Sequence, residues 1–477
     1  MKRNFLIMLV FLLTLNAGSA LAGEAEMMAM IQNLQKQMMQ MQSVIDAQSQ
    51  RLGQIEKHEA AIQIGGQGAE QGQAVAPMSE KEFSERLGKS LGGANKWLDG
   101  LVFKGDTRLR YSGSDYTSGS QSETPDRNAF FFRLRFGFEK AFSPEIKTGF
   151  ELASGPQSAA NGNNVAPTSN NQNMDSNFNF KNLWINKIFV TYLPEWAKVG
   201  PVAGLNITAG KVQNPFEEGS TDMIWDRDVT PEGIYEKVDF NIFKNDKVDL
   251  KGYAQAGQFV LDEDAAKGGR DAELFAYQVA LSPTLDLGIT QKPVKAFSAL
   301  SFYNYAGYAK HSNFTIFGTS FAKGNPVTPW NTTELNAQGF NVFESYSSIT
   351  FYPRGIPMKP FFDWARNMTD RSNMIMDGSD AWSVGLALGK VKKKHDLEAS
   401  YAYKWIGANS VVGAFTDGDF GNGTAGQRGS VIRLGYGLTD NVTVNAAGFF
   451  TNSLNTGSYG ILDQEHRKFI LDLNLKF

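Results

Sequence analysis

The last eleven residues, Arg467 to Phe477, alternate between two chemistries with a period of two. Phe469, Leu471, Leu473, Leu475 and Phe477 hold one set of positions, and Lys468, Asp472, Asn474 and Lys476 fall in the other. Successive side chains of a strand point to opposite faces, so one face of this segment suits hydrocarbon and the other suits water. The same alternation recurs upstream. Phe103, Leu109 and Tyr111 oppose Lys104, Asp106, Arg108 and Arg110. Phe130, Phe132, Leu134, Phe136 and Phe138 oppose Arg133, Arg135 and Glu139. Leu397, Ala399, Tyr401, Tyr403 and Trp405 oppose Asp396, Glu398 and Lys404, and their aromatic end fits an interfacial girdle.

Beyond the first residues, no stretch approaches the ~18 uninterrupted apolar residues of a spanning helix. A chain with lipid-suited strands and no such helix satisfies its backbone in a membrane only by closing a barrel. Short connections are expected at 143–145, 244–246, 352–358, 391–394 and 439–441, with longer Pro-bearing links at 193–203 and 282–293. Long polar stretches fall at 113–127, 154–182, 213–231, 261–272, 307–336, 369–380, 406–427 and 451–466. Short and long alternate, which predicts an all-β fold: a transmembrane antiparallel barrel of about 16 strands over 101–477, both ends periplasmic. A barrel of that size encloses an aqueous channel.

The N-terminal part reads differently. Lys2 and Arg3, the apolar run Phe5 to Leu15, and Ala20-Leu21-Ala22 predict a signal peptide over 1–22. Ile31, Leu34, Met38, Met41, Ile45, Gln48, Leu52 and Ile55 then recur in steps of three and four. This is an a/d seam of about four heptads, opening at Met27, and predicts a self-associating periplasmic coiled coil over 23–60. Ile at core positions leans towards three strands, and Gln48 suits a register device. Residues 61–78 read as a flexible Gly/Gln/Ala-rich linker. Ser79 and Glu82 form a capping box, and Phe83, Leu87, Leu91, Ala94 and Leu98 continue a short helix over 79–100 at the barrel entrance.

Composition removes several functions. The chain has no cysteine, so disulfides, thiolate metal sites and thiol catalysis are excluded. A net charge of −3 gives no reason to expect a nucleic-acid partner. His58, His311, His395 and His466 are not spaced as a metal pair, and no serine sits in a nucleophile motif. No enzyme, metal or cofactor is expected.

The third long stretch concentrates Glu217, Glu218, Asp222, Asp226 and Asp228 around a single Arg227. It also contains Ile224 and Trp225, unusual for a solvated loop. Such anchors predict that the loop folds inward onto the wall. Arg108, Arg110, Arg133 and Arg135, followed by Lys147, point into the lumen by the alternation. Acid on an inward loop facing a cationic ladder would set a transverse field across a narrow eyelet. The alternative is that the arginines pair with Asp106, Glu139 and Glu151 on neighbouring strands and simply tile the wall.

Three segments carry a family resemblance. Ala209 to Phe216 reads A-G-K-V-Q-N-P-F, Asp222 to Asp228 reads D-M-I-W-D-R-D, and Pro231-Glu232-Gly233 follows. Together with G-D-T-R-L-R-Y at 105–111, they resemble the signature of a "putative porin" family of proteobacteria. The match is good over 101–240 and rests on pattern elsewhere. The architecture is also similar to phosphate-selective and dicarboxylate (DcaP-like) porins, some with a coiled coil before a trimeric barrel. The resemblance implies a passive channel and a homotrimer, and it names no solute. The loop is more acidic than a dedicated phosphate site would suggest.

The expected function is therefore an outer-membrane porin passing small hydrophilic solutes or ions. Its expected partners are outer-membrane lipid and lipopolysaccharide, with peptidoglycan a further candidate. The rival readings are a tether to the cell wall with an incidental pore, and an adhesin carried by loop 154–182.

Overall fold

The computed structural model describes residues 100–118, 124–155, 167–175, 177–263, 271–288, 292–308, 323–325, 339–369, 378–454 and 464–477. The expected signal peptide, coiled coil and linker lie outside the described residues, as does the entrance helix up to residue 99.

The strands are β1 (Leu101–Ser118), β2 (Thr124–Ala141), β3 (Ile146–Ser154), β4 (Gln172–Asn173), β5 (Leu183–Tyr192) and β6 (Val202–Lys211). They continue with β7 (Glu232–Lys244), β8 (Val248–Asp262), β9 (Ala272–Leu285), β10 (Val294–Ala306), β11 (Phe340–Thr350) and β12 (Met358–Asn367). The last are β13 (Asp380–Gly389), β14 (Leu397–Ile406), β15 (Gln427–Gly437), β16 (Val442–Ser453) and β17 (Gln464–Lys476). All seventeen belong to one sheet. Because β4 is a two-residue ladder against Phe131 and Phe132, the wall itself has the sixteen strands expected. Each wall strand pairs antiparallel with its chain neighbours, and β1 pairs with both β2 and β17. Gly105 and Phe477 seal the seam, exchanging N–H···O bonds of 2.9 and 3.1 Å. Closure leaves no free edge along this seam, the condition lipid imposes on a sheet.

Alternation sorts the faces as anticipated. Leu109, Phe130, Phe469, Leu471 and Leu473 are exposed on the outer wall, while Arg133 and Asp472 are buried inside. Several boundaries differ from expectation, two of them instructively. The ladder of β1 and β2 continues above Gly113, so the connection shrinks from 113–127 to 119–123. Strand β9 runs through Pro283 to Leu285, into a segment expected to be a link. Pro283 lacks an N–H, and the β9–β10 ladder skips from Leu281 to Thr284 around it, while Pro283 stays in register with Leu250 of β8.

Candidate functional site

Between β6 and β7 the chain leaves the wall and turns inward, and local chemistry sets that path. Gly210 and Gly233 face each other across the base of the loop. Both have φ in the region favoured by glycine, +126° and +157°. A Cβ at either would sit within 2.2 Å of a neighbouring strand's carbonyl oxygen. The Asn214 side chain accepts the Phe216 N–H at 3.0 Å, forming an Asx turn that starts the inward course.

Apolar anchors then fix the loop. Phe216, Met223, Ile224, Trp225 and Val229 are all buried. The Trp225 ring lies 5.4 Å from Tyr303 of β10 and 5.6 Å from Phe415. Phe216 packs edge-on against Phe259 and Tyr303 at 6.2 and 5.9 Å. Such pairs add about 0.5–1.5 kcal/mol each beyond area burial. At the tip, Thr221 donates its N–H and its hydroxyl to Asp363 of β12, at 3.0 and 2.6 Å. Beside it Glu344 of β11 is fully buried and accepts the Tyr303 hydroxyl at 2.8 Å.

The expected site residues separate into groups. Arg133 and Arg135 both donate to Asp106, at 2.6 and 2.7 Å, and both approach Asp228 at 3.7 and 3.5 Å. Arg110 grips Asp472 through Nε at 2.7 Å and Asp419 through Nη1 at 3.0 Å. Arg108 donates to Asn171 at 2.9 Å and lies 3.8 Å from Asp472. Lys147 stands elsewhere, lining a cavity of about 220 Å³ with Glu139, Glu151 and Lys187. Of the loop carboxylates, only Asp228 meets the arginines. Asp222 pairs with Lys404 of β14 at 2.7 Å and Arg433 of β15 at 2.9 Å. The Asp226 carboxylate accepts the N–H groups of Asp228 and Gly418, at 2.8 and 2.9 Å. Glu217 bonds Gln213, and Glu218 faces Lys237 of β7 at 3.7 Å.

A second inward loop, 407–426, completes the site and was not anticipated. Ala408, Val411, Val412, Ala414, Phe415 and Phe420 are buried on it. It meets the first loop through Asp226 N–H to Phe415 O at 2.7 Å and Asp417 N–H to Asp222 O at 2.9 Å. Asn325 clamps it from a third loop, donating to the carbonyls of Ala408 and Val411 at 2.7 and 2.8 Å. Its Asp417 joins Lys404 and Arg433, both at 3.2 Å, and its Asp419 joins Lys468 at 2.7 Å. The signal was present in Val411-Val412-Gly-Ala-Phe415, an apolar run inside a long connection, the same kind of cue that marked Ile224 and Trp225.

Electrostatics follow from this packing. Burial raises the Asp222 carboxyl, but Lys404 and Arg433 outweigh it and hold the group well below its ordinary range. Burial of Asp419 is likewise overcome by Lys468 and Arg110. Asp226 goes the other way: burial, then Asp228 and Asp417, push it well above the ordinary range. Burial also raises Glu217. Among the described residues, no group of three or more His, Asp or Glu side chains could hold a metal ion.

No curated protein matches the sequence. Among solved structures, OprB of Pseudomonas putida at high pH is similar with a TM-score of 0.46 and 11% identity, covering 81% of this chain and 97% of that one. A loop-deletion mutant of OmpT, an outer-membrane protein of Vibrio cholerae, gives a TM-score of 0.41 and 11% identity, covering 80% and 100%. The family described as "Putative porin" matches residues 116–344 and 330–477, so the chain belongs to that family.

Proposed function

We propose that the protein is an outer-membrane porin whose constriction is built by loop 212–231, braced by loop 407–426, and lined by paired charges. The observation that carries this reading is the reach of one loop. Its Asp228 lies beside Arg133 and Arg135 on β2, its Thr221 is tied to β12, and its Asp222 is tied to β14 and β15. A segment spanning those contacts narrows the lumen, and water-filled passage is confined to what it leaves open. Charge pairing around that passage favours weak selectivity, because Arg110, Arg133, Arg135, Lys404 and Arg433 each lie close to a carboxylate. No catalytic role is assigned. Residues 23–60 enter this reading as a periplasmic coiled coil that joins barrels, three by the preference of its isoleucines.

Liposome swelling tests the proposal. Vesicles containing the protein should swell in small hydrophilic solutes, at rates that fall steeply as solute size rises. Trp225→Ala removes about 3–5 kcal/mol of buried aromatic packing and should admit larger solutes. Swelling no faster than that of protein-free vesicles, from correctly folded barrels, would refute the pore.

A further inference from the structure

On the outer wall, at the end bearing the long connections, strand register places three tryptophans side by side. Trp364 of β12 lies opposite Trp382 of β13, Trp382 opposite Trp405 of β14, and Trp405 opposite Arg428 of β15. Each sits within three residues of its strand's end at that rim. Phe362 and Val384, two positions along from Trp364 and Trp382, and Ile432, four along from Arg428, are exposed apolar side chains of the same outer face. The Arg428 guanidinium lies over the Trp405 ring, 5.4 Å from its centroid, and makes no ion pair among the described residues. Nearer the rim, Arg366 is half exposed, 3.7 Å from Asp380.

An interfacial aromatic belt accounts for the tryptophans. It does not account for a guanidinium held over the end indole of the row with no carboxylate partner among the described residues. The Arg428 guanidinium donates no hydrogen bond among the described residues, so its N–H donors are available in the fork geometry that grips phosphate. The indole faces alongside suit the apolar C–H faces of a sugar ring, and the apolar wall beyond suits acyl chains. A free phosphate would use only the first of these features. A phosphorylated glycolipid would use all three.

We infer that the Trp364–Trp382–Trp405–Arg428 row is a binding site for a phosphorylated glycolipid of the outer leaflet, the lipid A part of lipopolysaccharide. The inference rests on residence in the outer membrane and is independent of whether the lumen conducts.

Native mass spectrometry of the full chain in mild detergent tests it, with bisphosphorylated lipid A and phosphatidylglycerol as the added probes. Wild type should retain lipid A at least about tenfold more tightly than phosphatidylglycerol, and Arg428→Gln should lose about tenfold for lipid A, about 1.4 kcal/mol. Trp405→Phe removes the indole beneath the guanidinium and should lose severalfold, which keeps the test open if Arg428→Gln fails to assemble. Trp196→Phe, an exposed tryptophan in the β5–β6 turn, should bind as wild type. Equal retention of both lipids, or unchanged lipid A binding by both site variants, would overturn the inference. So would spontaneous disulfide pairing of Val384→Cys in a chain with no other cysteine, because the face would then be covered by a second copy.

Discussion

Asp222, on an inward loop, and Lys404, on β14, form a 2.7 Å ion pair whose lysine is only 1% exposed. Asp417 of the second inward loop shares the same ammonium at 3.2 Å. One wall lysine thus pins two loops. Breaking a buried pair by removing one partner costs about 3–5 kcal/mol, because the remaining charge is left uncompensated. Lys404→Met is therefore expected to undock both loops while the wall persists. Thermolysin, which cleaves before accessible apolar residues, should nick the variant near Met223 and Ile224 and spare wild type. Equal resistance of the two proteins would show that the pair does not hold the loop.

The tip contact gives a graded test. Asp363 Oδ2 accepts both the N–H and the hydroxyl of Thr221. Asparagine keeps a carbonyl oxygen for those donors and alanine keeps nothing. Asp363→Asn should be mild, whereas Asp363→Ala should cost about 1–3 kcal/mol at the tip, the penalty for unsatisfied buried donors. Hydrogen exchange of the Thr221 amide reads this directly. Protection in Asp363→Ala equal to wild type would remove Asp363 from the anchor.

Acidity should act on loop docking in two opposed ways. Asp222 and Asp419 are held below their ordinary value of 3.8 by their cations. Their contribution to docking is present above that value and is lost as pH falls below it. Asp226 is raised by burial and by its acidic neighbours, so its contribution is full below 3.8 and declines as pH rises through its elevated value. Each proton so linked changes docking by about 1.4 kcal/mol per pH unit within its window. Hydrogen-exchange protection of residues 212–231, corrected for intrinsic rates, should therefore rise and then fall with pH. A monotonic profile would contradict the opposed titrations.

Which parts were legible from sequence follows from where the information lies. Wall strands announce themselves because lipid imposes apolar residues at every second position, and Phe469 to Phe477 obey that rule without interruption. The inward loop was marked by Trp225 and Ile224, which water would not tolerate. Partner choice was legible only in part: Asp106, named as a wall partner for the arginines, does bind Arg133 and Arg135. Alternation states that Lys404 and Arg433 face the lumen, but neither their height nor the depth reached by Asp222 is written in a period-two pattern. Arg110 meets Asp419 of loop 407–426 and Asp472 of the neighbouring wall strand, and Arg108 lies 3.8 Å from the same Asp472. Glu217 bonds Gln213 and Glu218 faces Lys237 of β7, so neither pairs with the wall arginines.

The central claim is a conducting barrel whose selectivity is set by paired charges at the inward loops. Single-channel conductance and reversal potential in planar bilayers across a salt gradient test it most directly, with wild type beside Arg133→Ala/Arg135→Ala. Removing both arginines leaves Asp106 and Asp228 without the cations they now face. Wild type should show open, weakly selective steps, and the double variant should shift clearly towards cations. Sealed bilayers, or a reversal potential unmoved by the double substitution, would contradict the account.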